Sequence, residues 1–101
     1  MPFGLSQDTI NELTELFKQF KQIDEVLIYG SRAMGNFSEG SDIDLTLKGE
    51  NLNSELLTQI TLKIDDLLLP YLFDLSIFDQ LQNQSLKDHI QQVGQALYRK
   101  G

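Results

Sequence analysis

The chain has 101 residues and a net charge of −7, with 8 Lys and Arg against 15 Asp and Glu. It has no cysteine and one histidine, which excludes disulfide staples, thiolate zinc sites and a metal centre built from histidines. A chain of this size buries about 60–70% of its unfolded surface, so a single domain over residues 1–101 is expected. No apolar run approaches the roughly 20 residues of a membrane helix, and MPFGLSQDT lacks a basic start or cleavage pattern. The expectation is a cytoplasmic protein with no membrane contact. Its few basic residues are scattered, so a long nucleic acid, bound by clustered cations, is not an expected partner.

Ser6 can cap a first helix with Ile10, Leu13, Leu16, Phe17 and Phe20 on its apolar side. EVLIYG reads as a buried strand stopped by Gly30. The loop SRAMGNFSEGS then leads into a second strand from about Asp42 to Lys48. Leu56, Ile60, Ile64 and Leu67 recur at helical spacing, and Pro70 closes that helix. YLFDLSIF is a third strand, and SLKDHIQQVGQALYRK a last helix with Leu86, Ile90, Val93 and Leu97 inward. The order α-β-β-α-β-α predicts an α/β domain with a small mixed three-stranded sheet and helices mainly on one face.

Residues two apart in a strand share a face. Asp42, Asp44, Thr46 and Lys48 therefore point one way and Ile43, Leu45 and Leu47 the other. In the third strand Asp74 and Ser76 oppose Phe73, Leu75 and Ile77. A right-handed crossover would set these strands side by side and parallel, with Asp74 across from Asp42 and Asp44 on a face free of helices. Three convergent carboxylates suit Mg²⁺, which takes oxygen ligands and leaves positions open to substrate phosphates. Asp-x-Asp on an exposed edge strand is also an ordinary solubility device. The EF-hand pattern fails, because Leu47 stands where its glycine belongs.

GSRAMG adds a second element. Gly30 closes the first strand, and Ser31 can cap the turn that follows. Amides freed there, with no side chain at Gly30 to block approach, can hold a phosphate, although an ordinary strand-to-helix turn reads the same way. If the first two strands are antiparallel neighbours, this cradle and the carboxylates lie at one end of the sheet. A phosphate site beside a cation site is the layout of phosphoryl transfer.

GSRAMG…SDIDL with a later aspartate resembles the signature of the DNA polymerase β-like nucleotidyltransferases. The size and element order resemble their minimal members, the MNT proteins encoded beside HEPN-domain partners. Met34 departs from the pattern, since many members are basic there. The resemblance implies that Asp42, Asp44 and Asp74 are the catalytic residues and bind two Mg²⁺, with Asp74 toward the acceptor hydroxyl. It implies that Gly30 and Ser31 hold the β- and γ-phosphates of ATP or another nucleoside triphosphate. Arg32 is expected either to touch the triphosphate or to be a plain surface arginine. The implied function is an Mg²⁺-dependent transfer of a nucleoside monophosphate, AMP from ATP, to a tyrosine of a helical HEPN-type partner, with this chain as antitoxin. The alternatives are an antitoxin that neutralises its partner by contact alone, or a nucleotidyltransferase acting on a small molecule.

DIDLTL also resembles the opening of haloacid dehalogenase-type phosphatases. In those the aspartate follows a buried strand, whereas here it follows the loop FSEGS. His89 is read as a surface or boundary residue and Tyr29 as packing.

Overall fold

A computed structural model of the chain describes residues 2–101. Helix α1 (Gln7–Lys18) begins where the Ser6 hydroxyl accepts from the Thr9 N–H at 3.1 Å. Leu13, Leu16 and Phe17 are buried along one side of it. Strand β1 (Ile23–Tyr29), the short helix α2 (Ser31–Met34) and strand β2 (Ile43–Gly49) follow, and β2 runs antiparallel to β1 with Asp44 opposite Tyr29. Asn53 caps α3 (Ser54–Asp66) by accepting from the Leu56 N–H at 2.8 Å. That helix carries the chain back so that β3 (Phe73–Ile77) lies parallel to β2, as the crossover rule predicts. A 3-10 turn (Phe78–Gln80) and helix α4 (Gln84–Val93) lead to a last strand, β4 (Gln95–Arg99).

The fold is α/β as expected, but the sheet has four strands, ordered β3-β2-β1-β4. The tail read as helix is half strand. Helix α4 stops where the Gly94 N–H bonds the Ile90 carbonyl at 2.7 Å, and a side chain at Gly94 would overlap that same carbonyl. The chain then extends and pairs antiparallel with β1. Leu97 is buried in either arrangement, because it falls four residues after Val93 and also reaches the core from β4. Helical spacing therefore did not distinguish the two.

The helices also divide between the faces. Helices α1 and α3 cover the face bearing Val26, Ile28, Ile43, Leu45 and Leu47 with Phe17, Ile60 and Ile64, which form the main core. On the other face, Ile90 of α4 and Phe78 pack against Leu27 and Tyr29 in a smaller cluster. The face carrying the aspartates, expected to be free of helices, is thus partly roofed by α4. Each fully buried large aliphatic or Phe side chain contributes about 1.5–3 kcal/mol.

Candidate active site

Two neighbouring strands, β2 and β3, set Asp44 and Asp74 side by side. Asp44 stands directly opposite Asp74 in the parallel β2–β3 pair and opposite Tyr29 in the antiparallel β1–β2 pair. Asp42 lies just before β2 and acts on Asp44 through its charge. Burial comes first, then the charges of Asp74 and Asp42, in holding the Asp44 carboxyl above the usual carboxylate range; His89 on α4 offsets part of this. Among the described residues, no group of three or more Asp, Glu or His side chains is drawn together closely enough to hold an ion as it stands. The donor set nevertheless fits a hard divalent cation. It is all carboxylate oxygen, and Asp44 carries repulsion, offset only in part by His89, that such a cation would relieve.

The turn after β1 reaches the same spot. Gly30 has φ 75° and ψ −155°, a region that only glycine occupies freely. A Cβ there would overlap the carboxylate of Asp44. Gly30 itself, rather than Ser31, takes the N-cap position, and Ser31 is the first helical residue. The Met34 N–H closes the turn on the Gly30 carbonyl at 3.1 Å. The amides before it are the kind a helix start leaves without internal partners. The sequence-based cradle and carboxylates are therefore adjacent.

Arg32, expected either at the triphosphate or as a plain surface arginine, turns inward. It is 2% exposed. Its Nε and Nη2 donate to the Ser41 carbonyl at 3.1 and 2.9 Å, Nη2 also to the Glu39 carbonyl at 3.2 Å, and Nη1 to the Phe3 carbonyl at 2.8 Å. The guanidinium lies 5.1 Å from the Phe37 ring centre and 5.0 Å from that of Tyr71. Its fork is spent on fixing the loop that delivers Asp42. A planar, weakly hydrated cation flanked by aromatic rings suits burial better than a lysine would.

Other side chains surround the aspartates, with Tyr29 packed inside and His89 at the boundary, as expected of each. The Ser76 hydroxyl donates to Thr46 Oγ1 at 2.9 Å, and Thr46 is fully buried. Tyr29 is buried and meets the His89 ring edge-on, with centroids 6.2 Å apart. Burial raises the Tyr29 hydroxyl above its ordinary range against a hydrogen bond with Ser76, and Asp74 and Asp44 raise it further. The signal for Thr46 and Ser76 was available, since each shares a strand face with an aspartate. His89 had none. A cavity of about 490 Å³ between α1 and α3, lined by Asn11, Leu16 and Lys63 among others, holds no site residue.

The match to known proteins decides the family. The family model described as polymerase beta nucleotidyltransferase matches residues 11–101. The chain belongs to the polymerase β nucleotidyltransferase family. A relative from Methanocaldococcus jannaschii, "Putative protein adenylyltransferase MJ0141", is 27% identical over 97 residues, covering 75% of this chain and 98% of its own. The nucleotidyltransferase fold is seen again in a toxin–antitoxin crystal structure with AMP-PNP (TM-score 0.73, 18% identity, 90% of this chain and 73% of the other). A similar match is the complex of tri-AMPylated Shewanella oneidensis HEPN toxin with MNT antitoxin (TM-score 0.71, 16% identity, 95% and 74%). In this nucleotidyltransferase the end of β1 and the start of β2 are where the turn and the carboxylates meet. Among the described residues no helix is long and apolar enough to cross a membrane.

Proposed function

We propose that this nucleotidyltransferase transfers AMP from ATP to a tyrosine hydroxyl of a HEPN-type partner and serves as its antitoxin in the cytoplasm. The observation that carries the reading is the register of Asp44 against Asp74 beside the glycine turn at Gly30. The name of the archaeal relative and the AMPylated toxin in the similar complex support the choice of AMP and of a protein acceptor.

In this reading Gly30 and Ser31 hold the triphosphate tail through backbone N–H groups and the Ser31 hydroxyl. Asp42, Asp44 and Asp74 would hold divalent cations, two Mg²⁺, which when bound favour charge on the attacking and leaving oxygens of an in-line displacement. Asp74, on the strand nearest the sheet edge, faces the acceptor and takes its hydroxyl proton. The acceptor oxygen then bonds the α-phosphorus as the bond to the bridging oxygen breaks and pyrophosphate leaves. Tyr29 and the Thr46–Ser76 pair form the floor under the two aspartates. Arg32 positions Asp42 and touches no phosphate. An antitoxin working by contact alone would carry the repulsion at Asp44 to no purpose.

The test is incubation with α-labelled ATP, Mg²⁺ and the product of the neighbouring gene. Label is expected on the partner's tyrosine. Label on neither protein would refute protein adenylylation.

A further inference from the structure

Among the described residues strand β3 is a sheet edge, hydrogen-bonded only to β2. The Ile43 N–H donates to the Leu72 carbonyl at 2.9 Å, and Ile43 is in register with Phe73. In a parallel ladder this phase turns the peptide groups of residues 72, 74 and 76 toward β2. Those of Phe73, Leu75 and Ile77 face outward, where β3 has no further strand. The segment leading into this edge is unusually apolar for a surface. Leu68 is 87% exposed and Leu72 74%, and the neighbouring Leu67, Leu69 and Tyr71 are only half-buried. Natural edges are commonly blunted by lysine, proline or a covering loop. The opposite edge, β4, carries Arg99 and is followed by Lys100, whereas β3 offers only Asp74.

A second copy of this chain is a poor occupant. Self-pairing would bring the two Asp74 side chains directly or diagonally opposite each other across the new ladder, where like charges destabilise, and would join two chains of net charge −7. The free edge instead fits an extended segment of another protein that sets no carboxylate opposite Asp74 and places an apolar residue against Leu72.

We infer that the acceptor protein docks by adding such a segment as a fifth strand along β3. This rests on the reading of the chain as a protein-modifying enzyme. Strand addition takes affinity from main-chain hydrogen bonds and specificity from alternate side chains. Side chains of the added strand on the face of Asp74 would lie beside that carboxylate, so the same contact that binds the acceptor would deliver its hydroxyl to the site.

The test separates docking from chemistry. Hydrogen exchange and calorimetric binding are measured on the full chain with the product of the neighbouring gene, without ATP, and transfer is assayed separately. The amides of Phe73, Leu75 and Ile77 should gain protection on binding. Leu72→Lys should weaken binding at least tenfold, and Leu75→Pro, which removes an outward N–H, should do the same while leaving ATP binding intact. Should Leu75→Pro fail to fold, Leu72→Lys and the exchange data decide. Unprotected β3 amides, unchanged affinity in Leu72→Lys, or no binding by the wild-type chain would overturn the inference. Edge protection without AMP transfer would sustain the docking and refute only the enzymatic reading.

Discussion

Gly30 and Asp44 occupy one space: the missing side chain of the glycine is where the aspartate carboxylate lies. The turn that would hold a triphosphate and the strand that would hold its cation are therefore in direct contact, with no room for a side chain between them. Gly30→Ala is expected to suffer twice, from the backbone conformation and from contact with Asp44. The backbone term alone is about 1–3 kcal/mol, and each kcal/mol lowers the midpoint of a domain this size by about 4–8 °C. Calorimetric melting, with titration of a non-hydrolysable ATP analogue, should show both a lower midpoint and lost nucleotide affinity. Normal affinity in a folded Gly30→Ala would separate the turn from the site.

The raised Asp44 carboxyl sets a pH dependence with a definite sign. The folded chain binds a proton more tightly there than the unfolded chain does. Stability from this group is therefore greatest at low pH and declines as pH rises from the ordinary aspartate value through the raised one. Asp44→Asn should flatten that decline in chelator and melt higher than wild type above it. Mg²⁺ should reverse the order by stabilising the wild type, since saturation at ten times the dissociation constant adds about 1.4 kcal/mol. Parallel melting curves for the two proteins with and without Mg²⁺ would show that Asp44 is not a cation ligand.

Arg32 distinguishes a structural arginine from a phosphate-binding one. Arg32→Lys keeps the charge but cannot reproduce bonds to the Phe3, Glu39 and Ser41 carbonyls together. The loss of even one such charged hydrogen bond costs about 1.5–3 kcal/mol, so urea unfolding should show a clear drop in stability without ligand. A surface arginine reaching for phosphate would show the reverse: little change in stability and weaker nucleotide binding.

Much of this was legible in the sequence because the signals were local and periodic. Ser6 as a cap, the alternation around Asp44 and the crossover through α3 each depend on a few neighbouring residues, and each appears in the structure. The strand β4 was not legible, because Leu97 satisfies both a helical and an extended pattern, and what ends α4 is a contact between Gly94 and Ile90. The position of Arg32 was hidden for another reason. Its partners Phe3 and Tyr71 are distant in sequence, and a lone arginine after Gly-Ser looks the same whether its fork meets phosphate or carbonyl oxygen. His89 reaches the site only because α4 lies on the carboxylate face, which no periodicity indicates.

The Tyr29 side chain offers a narrower check on the floor of the site. Tyr29→Phe removes the hydroxyl but keeps the ring against His89 and Phe78. Transfer should slow modestly while the midpoint falls by no more than about 1 kcal/mol in equivalent stability. Complete loss of transfer in a stably folded Tyr29→Phe would mean that the hydroxyl takes part in the chemistry.

The central claim is that Asp44 and Asp74 act as one site for AMP transfer to a protein. Intact mass measurement of the HEPN-type partner after incubation with this chain, ATP and Mg²⁺ tests it most directly. The account predicts added AMP groups on the partner with the wild-type chain and none with Asp44→Asn or in chelator, with Asp74→Asn slowed in transfer more than in ATP binding. AMP addition at the wild-type rate by Asp44→Asn would contradict it.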